Sequence, residues 1–381
     1  MKKIIKLSIT IIIFVCGFTS TQAWVYPEHR DIALLAIQNL SSEYRSILDA
    51  LWSEARKGYE FRLTETVIDA TQTTNPTHLD FASWPAIAGD HSTSAQNMLN
   101  NILQSDWILR VADIAAKLKI DISYATERNV RVNALRNSDI RLQTADPDYA
   151  TRAGHNNVHF LLSLISPNEN PKEYAAECIK EGAELNALGV YIWYHYSALR
   201  KMSKLSTEKL STDERSALII AALADEAFAL HFLEDVFASG HVAGTWGDAS
   251  QQKGTHDYYN EHGLKTSTWS GKSIILTGDA WMREEDAEFA AKVIQLSLEQ
   301  LIDASRGKHT VQVDDDAEIK SLPDDFDISK IDFMPSRKVD KKLAEILNPI
   351  FLQTPIPGLV NGLGELPRFR AELGTFFGFS P

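Results

Sequence analysis

One stretch of this chain limits its fold more than any other. Between residues 212 and 239 a helix-length run carries Leu218, Ile219, Ile220, Leu223, Phe228, Leu230, Phe232 and Leu233, so it is apolar on nearly every side. Such a helix cannot lie on a solvated surface and belongs in the centre of a bundle. Ser211 and Glu214 have the spacing of a capping box at its start. Gly240 is expected to end it as a C′ glycine.

The rest of the chain supplies partners for that helix. Residues 29–56 place Ile32, Leu35, Ile37 and Leu40 at roughly helical spacing. Residues 98–118, 172–202 and 283–305 also read as helices. No stretch alternates cleanly enough to predict a strand, and there is no internal repeat. The expected fold is all-α, a multi-helix bundle with an irregular C-terminal extension.

Three segments are expected. Residues 1–23 read as a cleaved signal peptide: Lys2, Lys3 and Lys6 precede the apolar run Leu7–Phe18, and Thr21-Gln22-Ala23 suits cleavage. The mature protein is therefore expected in the periplasm or outside the cell. Residues 24–306 form the helical domain, with a long interior segment at about 90–220. Beyond 307 the chain turns acidic (Asp314, Asp315, Asp316, Asp324, Asp325, Asp327) and then rich in Gly, Pro and Phe. This extension is expected either to pack on the domain or to make a separate contact. Phe351, Leu359, Leu363, Phe369, Phe376, Phe377 and Phe379 would suit a membrane interface.

The 381 residues carry a net charge of −13, which argues against binding nucleic acid through a basic surface. Phosphate-ester chemistry remains open to an acidic chain when metal ions supply positive charge. Cleavage after Ala23 leaves only Cys178, so a metal site must use His, Asp, Glu or main-chain groups.

The histidines mark where such a site would form. His231 and Asp235 are four residues apart on the apolar helix and share a face. An ionised Asp there is costly unless a cation or donor compensates it. His241 follows, and His256 and Asn260 repeat the i, i+4 spacing. Cleavage before Trp24 would expose an α-amine that can chelate a metal with its own carbonyl, and His29 lies five residues on.

Taken together, Trp24-x4-His29, Val67-Ile68-Asp69-Ala70, His78-Leu79-Asp80 and His231-x3-Asp235-x5-His241-x14-His256 resemble the bacterial zinc-dependent phospholipase C and S1/P1 nuclease superfamily. The resemblance spans about residues 24–305. It implies a phospholipase C/P1 nuclease-like bundle holding up to three zinc ions. The Trp24 amine and carbonyl with His29 would hold one ion, and Asp69, His78 and His231 a second. Asp235 would bridge two, and His241 and His256 would hold the third. Asp69 would also orient or deprotonate the attacking water.

This chain departs from the family in three places. Asn260, beside Glu261, stands where the family has an acidic residue, and His262 is an alternative ligand. The short interval between Asp69 and His78 leaves Asp80 as an alternative to Asp69. The long segment after His78 contributes Asp90-His91 and His155-x3-His159, which are expected to reshape the cleft, supply a further ligand, or pair within the segment. His195, among Trp193, Tyr194 and Tyr196, reads as a core residue.

The resemblance implies hydrolysis of a phosphodiester, with phospholipid at a membrane surface as the expected partner and no stable nucleic-acid partner. The spacing of His241 and His256 is close to that of the phospholipases. A nuclease or 3′-nucleotidase, and a zinc- or lipid-binding protein without turnover, are the alternatives.

Overall fold

The computed structural model describes residues 24–358, except 72–73, 147, 153–156, 167, 244–248, 309–324 and 336–340. The expected signal peptide, His155, the acidic run from Asp314 to Asp324, and the tail from Leu359 onward lie outside the described residues.

The described chain is mainly helical, as its periodicity predicts. It begins with α1 (Tyr26–Gln38) and α2 (Ser42–Ala55), then α3 (Ser83–Ile87), α4 (Ala95–Gln104), α5 (Trp107–Ser123) and α6 (Arg128–Ala145). A single turn α7 (Tyr149–Arg152) precedes α8 (Pro171–Cys178), α9 (Ala187–Thr207) and α10 (Thr212–Asp235). Short α11 (Ser239–Ala243) and α12 (Ala249–His262) follow. A two-stranded antiparallel hairpin comes next, β1 (Leu264–Ser267) and β2 (Ser273–Leu276), which the sequence did not reveal. The last helices are α13 (Glu284–Ser305) and α14 (Lys341–Phe351).

α10 is the centre. Ser211 Oγ accepts from Glu214 N, and Ser211 N donates to Glu214 Oε2 at 2.8 Å, which closes the capping box. Every residue from Ala222 to Asp235 is buried. The helix packs most extensively on α9, and also on α4, α2, α3 and α13. By length and composition it could cross a membrane, but most of its surface is covered by these neighbours.

The sequence merged helices that the fold separates. The run 29–56 breaks into α1 and α2, because Ser41 Oγ accepts from Tyr44 N and starts a new helix. The run 98–118 breaks at Ser105 and Asp106, and 172–202 breaks between Cys178 and Asn186. Gly240 does not end α10. The helix stops at Asp235, and Gly240 lies inside α11, where a Cβ would come within 2.7 Å of Asn260 and His256 side-chain atoms. The glycine allows a close approach.

Segment 90–220 is part of the body of the protein. Met98, Ile102, Val111, Tyr191, Trp193 and Leu199 belong to the same core as α10. The described parts of the C-terminal extension also pack on that body. Tyr194 Oη donates to the Phe326 carbonyl at 2.6 Å, Met334 N donates to the Ala183 carbonyl at 2.7 Å, and Ile350 and Phe351 are buried.

Candidate metal centre

His29 enters from the first turns of α1, while His231, Glu234 and Asp235 come from the last turn of α10. His241 sits on α11 and His256 on α12. His159 comes from the segment after α7. All of these side chains are buried.

Asp235 is the hub. Its Oδ2 lies 2.6 Å from His159 Nδ1 and 3.3 Å from His231 Nε2. Its Oδ1 lies 3.7 Å from His29 Nε2 and 3.9 Å from His241 Nδ1. The two oxygens thus face different pairs of imidazoles, which is the arrangement of a bridging carboxylate. Two ligand atoms on one tetrahedral zinc ion are about 3.3 Å apart, given bond lengths near 2.0–2.1 Å. The wider spacings round Asp235 are close to that value.

Neighbouring groups fix how the imidazoles point. His231 Nδ1 donates to the Pro85 carbonyl at 2.9 Å, so its Nε2 lone pair faces Asp235. His29 Nδ1 donates to Glu234 Oε2 at 2.6 Å and turns its Nε2 the same way. Trp24 is fully buried, and its indole donates to the Glu234 carbonyl at 2.9 Å. Gly89 has φ +66, and a Cβ on it would sit 2.2 Å from His231 Nε2 and 2.8 Å from His159 Cε1. A glycine is needed for this chain to pass so close to the imidazoles.

Burial pushes the pKa values of His29, His231 and His241 well down, and neighbouring histidines add to the shift. These rings are neutral near pH 7, the state that a metal ligand requires. Burial opposes charge on His159, but the Asp235 carboxylate outweighs it and raises the pKa. Burial also raises Asp235 and Glu234.

Several buried atoms in the cluster have no hydrogen-bond partner: His29 Nε2, Asp235 Oδ1, both ring nitrogens of His241, and Glu234 Oε1. Each such atom costs about 1–3 kcal/mol if left unpaired. Four of the five belong to His29, Asp235 and His241, whose facing atoms converge. A divalent cation would pair with His29 Nε2, Asp235 Oδ1 and one ring nitrogen of His241, so the residues fit a metal. His29, His231 and Asp235 form one group able to hold an ion, and Asp90, His159 and His231 form another.

A third group lies beside them. His256 Nδ1 is 3.0 Å from Asp257 Oδ1 and 3.7 Å from Asp279 Oδ2. Asn260 takes a different role from the expected one. Its Oδ1 accepts from Gly240 N at 2.7 Å and Ser239 Oγ at 3.2 Å, while its Nδ2 donates to Asp279 Oδ2 at 3.0 Å. Asn260 therefore links α11 to Asp279, one of the two carboxylates in that group. Asp279 has φ +42 and Ala280 φ +62. Glu28 holds this turn by accepting from Ala280 N at 2.9 Å and Met282 N at 3.1 Å.

The structure does not bring Asp69 and His78 to this cluster. Asp69 is half-buried, and its carboxylate accepts from Thr71 N and Thr71 Oγ1. His78 is exposed, with Nδ1 2.9 Å from Thr77 Oγ1. Both line a hollow of about 490 Å3 with Arg30 and Asp80, and neither belongs to a metal-capable group. Asp80 is tied to the Arg30 guanidinium at 2.6 Å and to Asp69 N at 2.7 Å, so it anchors the loop. Among the other expectations, His91 pairs with Asp146, which also binds Arg152. Glu261 pairs with Arg128, and His262 Nδ1 bonds the Tyr258 carbonyl. His195 lies in the core against Glu226 and Gln300.

Asp279 was missed by the sequence reading, and Asp90 and His159 were only alternatives in it. Asp279 lies past a short hairpin, and no spacing rule ties it to His256.

A cavity of about 330 Å3 opens beside the third group, lined at that end by Asp257, Asn260 and Asp279. Leu118 from α5 and Val132, Leu135 and Leu142 from α6 also line it, together with Arg128, Arg136, Ser138 and Asp139. Comparison with known proteins adds no relative. No protein-family model matches the chain, and no curated protein or solved structure matches it significantly.

Proposed function

We propose that this chain is a secreted zinc-dependent phospholipase C of the phospholipase C/P1 nuclease type, which hydrolyses the phosphodiester of glycerophospholipids such as phosphatidylcholine. The observation that supports it best is the convergence of His29, His159, His231 and His241 on the buried Asp235 carboxylate, with His29 Nε2, Asp235 Oδ1 and the His241 ring nitrogens unpaired. Buried N/O ligand sets of this kind suit zinc.

His29, His231 and Asp235 would hold one ion, His159 with Asp90 a second, and His256 with Asp279 a third. Zinc in such a site supplies Lewis acidity and a bound water that ionises near neutral pH. The chain's own residues do the rest. Glu234 and the Pro85 carbonyl orient the imidazoles of His29 and His231. Asp90, whose side chain is the more exposed carboxylate of the first two groups, replaces Asp69 as the residue that orients or deprotonates the attacking water.

The cavity supports lipid over nucleic acid. Leu118, Val132, Leu135 and Leu142 give its lining an aliphatic part that suits an acyl chain. A single-stranded nucleic-acid site would instead offer exposed aromatic faces for stacking. Of the aromatic residues that line the cavity, Tyr26 and Tyr149 are buried, with 4% and 2% exposure, and the half-buried Trp281 has the Arg131 guanidinium over its ring at 4.9 Å.

The test is to assay zinc-loaded mature protein on phosphatidylcholine and on single-stranded nucleic acid, with and without a strong chelator. The reading expects phosphocholine release that the chelator abolishes. Nucleic-acid cleavage alone, or no turnover of either substrate, would overturn it.

A further inference from the structure

The outer side of the α5–α6 hairpin has no role in the account so far. Tyr124, the C-cap of α5, is 81% exposed, and Ile140 on α6 is 63% exposed. Ile120 and Val130 are about half exposed. Tyr258 on α12 is exposed as well, one turn before Glu261, which pairs with Arg128 at the start of α6. These five are most of the large exposed apolar side chains among the described residues.

Charge on this hairpin runs against the rest of the chain. Residues 117–141 hold six Lys and Arg against three Asp and Glu, in a protein of net charge −13. Lys117, Lys119 and Arg128 pair with Asp113, Asp31 and Glu261. Arg136 and Arg141 lie exposed on α6, interspersed with Val130 and Ile140. Apolar side chains scattered among cations suit a lipid interface. A protein partner would be expected to bury a continuous apolar patch with few charges at its centre.

The hairpin also forms the wall of the cavity. Leu118, Val132, Leu135 and Leu142 line it from the inner faces of the same two helices, and Arg128 and Arg136 line it too. The cavity therefore lies on the inner side of the hairpin, and Arg136 is both exposed and part of its lining.

We propose that the α5–α6 hairpin is the surface by which this protein seats on an anionic lipid bilayer. Tyr124, Val130 and Ile140 enter the interface, and Arg136 and Arg141 meet lipid phosphates. The proposal rests on the phospholipase reading for what the cavity receives, while the docking itself can be measured apart from catalysis.

The experiment is co-sedimentation of the full mature, zinc-loaded chain with phosphatidylcholine vesicles, with and without phosphatidylglycerol. Two variants are compared with the unmodified protein: the double Tyr124→Ser/Ile140→Ser, and Arg141→Glu. Thermal unfolding confirms that each folds. The unmodified protein should bind the anionic vesicles more tightly, and each variant should lose roughly tenfold in affinity. Neither variant should change hydrolysis of a short-chain phosphatidylcholine dissolved as monomers. Equal vesicle binding by all three proteins, or none by any, would overturn the docking surface. Vesicle binding with the expected losses, but no hydrolysis of the dissolved lipid, would leave docking standing and remove the phospholipase reading.

Discussion

His159 Nδ1 lies 2.6 Å from Asp235 Oδ2, although the two residues are 76 positions apart in the chain. His159 belongs to the long interior segment and Asp235 ends the central helix. Their contact makes that segment part of the site. Replacing His159 with Ala should lower metal content and activity together, as should Asp90→Asn. Mass spectrometry of the intact native protein would count the ions. Full metal content in both variants would show that the segment does not ligate.

Glu234 acts through His29. Glu234→Ala leaves His29 Nδ1 without its carboxylate, and metal affinity should fall by about 10–100-fold. Glu234→Gln keeps an acceptor oxygen and should lose less. Competition with a chromophoric chelator gives both values.

Gly89 passes too close to the imidazoles to accept a side chain. Gly89→Ala places a methyl 2.2 Å from His231 Nε2 at φ +66. The left-handed backbone alone costs about 1–2 kcal/mol. The variant should unfold at lower temperature and bind less metal, whereas Gly58→Ala, with open space round it at φ +84, should show the backbone cost only.

At the third group the expected remedy should fail. Introducing an acidic residue by Asn260→Asp removes the donor to Asp279 and sets two carboxylates against each other. It should not raise metal content, and Asp279→Asn should lower it. A gain of bound metal in the Asn260→Asp variant would return the ligand role to position 260.

Far from the metal groups, Asp225 gives a pH signature. Burial raises its pKa to about 6, partly offset by Lys201. The folded protein therefore holds this proton more tightly than the unfolded chain. The contribution of Asp225 is fully present below about pH 4 and is lost as pH rises toward 6, by about 3 kcal/mol in all. Asp225→Asn should remove that fall, so its unfolding temperature should vary less than that of the unmodified protein between pH 4 and 6.5.

The sequence showed the buried His/Asp cluster where the fold is local. His231 and Asp235 share a helix face by spacing alone, and the capping box of Ser211 and Glu214 marks the start of that helix. His29 was legible through its position near Trp24. Asp69 and His78 lie apart from that cluster, because a motif read along the chain does not say where a loop is anchored. The buried Arg30–Asp80 pair fastens that loop over a separate hollow. Asp279 was invisible, because its place depends on a hairpin and on a left-handed turn held by Glu28. Asp69→Ala and His78→Ala should accordingly leave the metal content unchanged.

Diffraction at the zinc absorption edge, on crystals of zinc-loaded protein beginning at Trp24, tests the proposed metal centre most directly. The account predicts anomalous peaks about 2.0–2.2 Å from His29 Nε2, His231 Nε2 and the Asp235 carboxylate. A peak at Asp69 and His78 instead, or no peak in the pocket round Asp235, would contradict it.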